Sequence, residues 1–145
     1  MVQVHGTCVE LSGMGVLLRG PSGSGKSDLA LRLIDSGARL VADDRVDLRV
    51  SGPALIATPP RPIAGRMEVR GIGIIDDIPV AGETRLGLVV DLVPPQAMER
   101  LPEPHFCTFL GLRVPLIALA PFEASAAAKV RLAARTFGRT IMAAS

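Results

Sequence analysis

Between Gly20 and Ser27 the chain reads GPSGSGKS, the form G-x-x-x-x-G-K-[ST] in which glycine-rich backbone turns its N–H groups inward around phosphates and a lysine reaches the terminal ones. Gly20, Pro21, Ser22, Gly23, Ser24, Gly25, Lys26 and Ser27 are therefore candidate nucleotide-binding residues. Of 16 basic residues only Lys26 and Lys129 are lysines, so a lysine in this loop is not a by-product of composition. A phosphate loop performs no chemistry without a metal, a group to accept a proton and something to order the transferring phosphoryl. The Ser27 hydroxyl is the usual magnesium ligand of such loops. A second, acidic ligand should project from the end of a neighbouring strand, and Asp43, Asp44, Glu68, Asp76, Asp77 and Asp91 are the candidates.

These groups need elements to hold them. HGTCVELSGMGVLLRG predicts two short strands, 7–11 and 16–19, joined by a Ser12-Gly13-Met14-Gly15 turn. The second strand feeds the loop directly. From Lys26, KSDLALRLIDSG places Leu29, Ala30, Leu33 and Ile34 on one helical face, with Gly37 to end the helix. Strand, loop and helix thus stand in the order the motif requires, and the helix N-terminus adds its positive dipole end to the loop. ARLVADD predicts a strand closing on Asp43 and Asp44, where open α/β sheets place ligand-contacting groups. Adjacent strand residues point to opposite faces, so at most one of the two faces the phosphates.

Further along, VDLRVSGPALIA predicts a hairpin around Ser51-Gly52, and proline-rich TPPRPIAG a loop. MEVRGIGIIDD reads as a strand bulged at its glycines before a charged turn. RLGLVVDL predicts a buried strand, PPQAMERL a short helix from near Pro95, RVPLIALA a further strand, and the Ala-rich EASAAAKVRLAARTFGRT a C-terminal helix. The fold class is α/β with a mixed sheet.

Composition narrows the partners. At 145 residues the chain fits one domain with a full core. Aromatics make up 3%, with no Trp or Tyr, and the arginines are scattered, which offers neither a stacking platform for single strands nor a basic stripe for a duplex. No apolar run approaches the ~20 residues of a membrane span. The N-terminus lacks the basic and apolar regions of an export signal, so a cytoplasmic location is expected. Cys8 and Cys107 are too few for a disulfide framework, and His5, Cys8, His105 and Cys107 have spacings unlike the usual zinc pairs. The chain has no Asn and no second usable lysine, hence no Asn/Thr-Lys-x-Asp guanine-reading element, and no H-R-D or D-F-G of eukaryote-type protein kinases.

The order HGT (5–7), GPSGSGKS, LVADDRV (40–46) and EVRGIGIID (68–76) resembles the catalytic domain of bacterial HPr kinase/phosphorylase, over a stretch from His5 to about Leu101. The resemblance implies one catalytic domain over 1–145, with a P-loop core like that of phosphoenolpyruvate carboxykinases. It implies ATP and Mg2+ as cofactors and a serine of the phosphocarrier protein HPr as acceptor. Lys26 would neutralise the β- and γ-phosphates, Ser27 and Glu68 would hold magnesium, and Asp43 would act as general base. His5 would sit beside this centre. Arg100, in AMERL, matches an arginine that stabilises charge on the transferring phosphoryl group. A homo-oligomer is expected.

Two departures stand out. Family members usually carry a further N-terminal domain, whereas here the resemblance begins almost at Met1. They also follow the later Val-Pro with a basic, glycine-containing stretch linked to dephosphorylation, whereas Val114-Pro115 leads into LIALAP. The kinase half keeps every residue it needs; the phosphorylase half lacks that stretch. The alternatives are an ATP-sensing regulatory module without phosphoryl transfer and a P-loop small-molecule kinase.

Overall fold

A computed structural model describes residues 1–137 and 142–143 of the chain. Its strands are β1 (Val2–His5), β2 (Thr7–Leu11), β3 (Met14–Arg19), β4 (Arg39–Ala42), β5 (Arg45–Ser51), β6 (Ala54–Thr58), β7 (Met67–Val69), β8 (Gly73–Ile75), β9 (Thr84–Leu92), β10 (His105–Phe109), β11 (Leu112–Leu119) and β12 (Met142–Ala143). Two helices, α1 (Lys26–Asp35) and α2 (Ala126–Phe137), complete the regular elements with short 3-10 turns at Arg61–Ile63 and Pro95–Ala97.

Ten of these strands form a curled, mixed sheet whose path runs β1-β5-β6-β9-β3-β2-β4. Strand β9 organises it. One edge of β9 runs parallel to β3, while the other pairs antiparallel with β6 at Thr84 and Arg85 and then parallel with β11 from Val89 to Leu92. The sheet therefore forks along β9, and the C-terminal ends of the parallel strands β3, β9 and β11 point the same way, toward the phosphate loop that follows Arg19.

Burial on both faces follows the strand period of two. On β3, Val16 and Leu18 pack toward α1 and α2, while Leu17 joins the opposite face with Cys8, Val41, Val46, Leu48, Leu55 and Val114. On β9 the period slips once. Leu86 faces away from the helices but Leu88 and Val90 face them, because a register shift between Gly15 and Val16 leaves one extra residue, Gly87, on β9. Each fully buried leucine of this sheet contributes about 1.5–3 kcal/mol of transfer free energy.

Helix α1 buries Leu29, Ala30 and Leu33 as its periodicity predicts, with Ile34 partly buried. It ends in a pair of backbone bonds, Ala38 N–H to Leu33 O at 3.0 Å and Gly37 N–H to Ile34 O at 3.0 Å, with Gly37 at φ 114°, a conformation that glycine adopts without strain.

Several sequence expectations need correction. MEVRGIGIIDD is a hairpin, β7 paired with β8 around Arg70–Ile72, rather than one bulged strand; three residues per arm were too few to show a period. PPQAMERL makes only the 3-10 turn Pro95–Ala97, since so short a segment with little apolar surface to bury does not nucleate an α-helix. Strand β3 begins two residues before the expected Val16, so the Met14-Gly15 pair belongs to the strand. Strands β1 and β10 were not anticipated: their exposed, alternating residues give little hydrophobic signal. Of the C-terminal helix expected over 123–140, α2 covers 126–137, and 138–140 lie outside the described residues. Among the described residues no helix is long and apolar enough to cross a membrane.

Candidate active site

The loop from Gly20 to Gly25 connects β3 to α1, and Gly25 itself occupies the position before the first helical residue with φ 102°. No side chain caps α1, so the N–H groups of its first turn, which lack intrahelical acceptors, remain directed at the loop. Lys26 is buried, and its Nζ curls back to donate to Gly20 O at 2.6 Å and Pro21 O at 3.1 Å. Ser24 Oγ is buried without a partner among the described residues. Cationic nitrogen, uncapped amides and a spare hydroxyl together fit a polyphosphate.

Asp43 joins three elements. Ser27 at the start of α1 donates its hydroxyl to Asp43 Oδ1 at 3.1 Å, fully buried Thr7 on β2 donates to the same oxygen at 2.9 Å, and the Glu68 N–H on β7 reaches Oδ2 at 3.4 Å. The carboxylate is thereby fixed beside the loop at the end of β4. Asp44 has φ 75° and accepts from His5 Nε2 at 3.1 Å, although it too borders the space over the loop. Both acids lie past the end of β4, and the left-handed turn at Asp44, rather than strand alternation, leaves Asp43 on the Ser27 side.

A cavity of about 1080 Å³ opens over this arrangement, lined among others by Ser22, Lys26, Ser27, Asp43, Glu68 and Phe122. On β7, Met67 and Val69 enter the core, and the alternation turns Glu68 outward into the cavity. Ser27 and Asp43 offer hard oxygen donors 3.1 Å apart, and Glu68 lines the same cavity. Magnesium typically takes one or two carboxylates and completes its shell with phosphate and water, so this donor set fits it, although no cluster of three His, Cys, Asp or Glu residues occurs among the described residues.

The other acids separate clearly. Asp91 is committed to Arg19, whose Nε and second guanidinium nitrogen donate to its two oxygens at 2.7 and 3.0 Å; this pairing holds the Arg19 guanidinium above its ordinary pKa. Asp76 and Asp77 are exposed and do not line the cavity. His5 reaches the cavity only through Asp44. Arg100 is exposed, beyond the Pro95–Ala97 turn, and is not among the lining residues. Of the four zinc-type residues, Cys8 is fully buried in the sheet, where burial pushes its thiol up to about 12, and Cys107 instead accepts from Arg19 at 3.4 Å. Sequence reasoning missed Thr7 as a support for Asp43, Phe122 at the cavity rim, and Arg32, which holds the Pro121 and Glu123 carbonyls on either side of Phe122. Thr7 was visible as the third residue of H-G-T; the other two carried no local signal.

Residues 1–130 match the HPr Serine kinase C-terminal domain. The chain belongs to this family. HPr kinase/phosphorylase of Leptothrix cholodnii is 45% identical over 128 residues, which is 80% of this chain and 39% of that protein. A Clostridium botulinum HPr kinase/phosphorylase is 53% identical over 74 residues, 51% of this chain and 24% of that one. This member of the HPr serine kinase family thus spans about two fifths of the length of the Leptothrix relative. Its fold matches the solved HPr(Ser) kinase/phosphatase of Coxiella burnetii with a TM-score of 0.82 at 31% identity, covering 94% of this chain and 95% of that one.

Proposed function

We propose that this HPr kinase-family domain, over residues 1–145, is an ATP- and magnesium-dependent protein kinase that phosphorylates a serine of HPr. The observation that carries the reading is the meeting of the phosphate loop and Asp43 through Ser27, at 3.1 Å, on one open cavity. An open site of this size admits a protein loop as well as a nucleotide. The relatives' names supply the acceptor.

In this reading Lys26 leaves its carbonyl contacts to neutralise the β- and γ-phosphates, and the loop amides hold them in line. Ser27 and Glu68 would hold magnesium, which supplies charge neutralisation on the phosphate oxygens when bound. Asp43 takes the proton from the serine hydroxyl as that oxygen bonds to the γ-phosphorus and the bond to the bridging oxygen of ADP breaks. Thr7 orients the carboxylate for this task. His5, through Asp44, is a positioning residue. Arg100 is assigned to charge on the transferring group on the strength of the family resemblance; it reaches that group only if the exposed segment around it moves or a neighbouring copy supplies it. The antiparallel β2–β3 entry into the loop supports a core of phosphoenolpyruvate carboxykinase type. Leu132 and Phe137, exposed on α2, support a homo-oligomer.

Incubation with labelled ATP, magnesium and purified HPr tests the reading. Label is expected on an HPr serine with the wild-type domain and not with Lys26→Ala. If HPr stays unlabelled while ATP binds, the domain senses nucleotide without transferring phosphate.

A further inference from the structure

Pro121-Phe122-Glu123 connects β11 to α2 and passes over the phosphate loop. Phe122 lines the cavity, yet its side chain is left 70% exposed. The backbone on both sides of it is pinned by one residue: the Arg32 guanidinium on α1 donates to Pro121 O and, at 3.4 Å, to Glu123 O. Arg32 is itself held by Asp28 at 3.0 Å, and Lys129 holds the Glu123 carboxylate at 3.2 Å. A large apolar ring is thus kept in water on a rigid mount, where burial would ordinarily be favoured.

Its position relative to the loop is equally specific. A Cβ built on Gly25 would stand 3.0 Å from Phe122 Cζ and 3.2 Å from Cε1. The ring edge therefore rests on the last glycine of the loop, beside the α1 N-terminus and at the rim of the space where phosphates fit. Of four phenylalanines, in a chain with no Trp or Tyr, Phe122 alone lines this cavity.

We infer that Phe122 is the base-stacking platform of the site: its exposed face receives the nucleobase of a nucleotide whose phosphates occupy Gly20–Ser27. This inference rests on the nucleotide reading above and specifies how the non-phosphate half is held. A stacked ring reads the π-face that every base shares rather than hydrogen-bonding edges, so the site distinguishes nucleoside triphosphates from inorganic polyphosphate but discriminates weakly between ATP and GTP.

The test compares binding of ATP, GTP and inorganic tripolyphosphate, each with magnesium, to wild type, Phe122→Ala and Phe122→Trp. Phe122→Ala should weaken ATP and GTP about tenfold or more and leave tripolyphosphate unchanged. Phe122→Trp should keep ATP affinity and, as the one tryptophan of the chain, change its emission with ATP but not with tripolyphosphate. Because the ring is exposed, the melting temperatures of both variants should stay close to wild type. The inference is overturned if Phe122→Ala leaves ATP affinity intact, including the case where it instead raises the HPr concentration needed, or if ATP and tripolyphosphate weaken in parallel. A wild-type protein that binds none of the three overturns the nucleotide reading itself.

Discussion

At the scale of single residues, the site depends on which oxygen atoms crowd the loop. Glu68 is exposed and contributes little to the core, so Glu68→Gln should fold normally while raising the magnesium concentration needed for half-maximal activity. Thermal unfolding and a magnesium titration of HPr phosphorylation check both halves, and an unchanged magnesium requirement would remove Glu68 from the ligand set. The loop, Asp43 and Asp44 were legible because their chemistry is local: eight contiguous residues, then two acids at a strand end. The choice between Asp43 and Asp44 came only from the family resemblance, not from local chemistry, since it depends on the left-handed turn at Asp44 that hands its carboxylate to His5. Asp91 looked equivalent in sequence to the other acids, and only the three-dimensional pairing with Arg19, 72 residues away, removes it. Arg32, similarly, meets the Pro121 and Glu123 carbonyls that flank Phe122, about 90 positions away, only in the folded chain.

Among the elements, the strongest signals came from long periodic or apolar runs: α1, α2, β9 and β11 appear close to their expected places. The short exposed strands β1 and β10 and the β7–β8 hairpin did not announce themselves, because they draw their stability from pairing with neighbours rather than from their own pattern. Strand β2 adds a measurable property. Its Cys8 thiol, pushed from 9.0 to about 12 by burial, is neutral in the folded chain while the unfolded chain ionises it. The folded pKa is the higher one, so this contribution to stability is complete below pH 9 and is lost as pH rises toward 12. Wild-type stability should fall with pH in that window more steeply than that of Cys8→Ala, by up to about 1.4 kcal/mol per pH unit. Denaturant unfolding at a series of pH values measures the two slopes; equal slopes would show that Cys8 is accessible to solvent.

For the whole molecule, the mixed sheet explains why a short loop, a strand-end acid and a hairpin glutamate converge. Strand β9 aligns β3 so that the loop emerges at the sheet end, β2 brings Thr7 between β3 and β4, and the β7–β8 hairpin closes over the result. The fork at β9 could not be read from the sequence, because it depends on the register shift opposite Gly15 and on two partners sharing one strand edge. What this convergence is for is decided most directly by measuring nucleotide binding and single-turnover phosphoryl transfer to HPr side by side, in wild type and Asp43→Asn, across a range of magnesium concentrations. If Asp43 accepts the serine proton, the variant binds ATP as wild type does and transfers ~10²-fold more slowly or worse at every magnesium concentration. Transfer at the wild-type rate, or a rate restored by excess magnesium, would contradict that role and make Asp43 a bystander or a metal ligand instead.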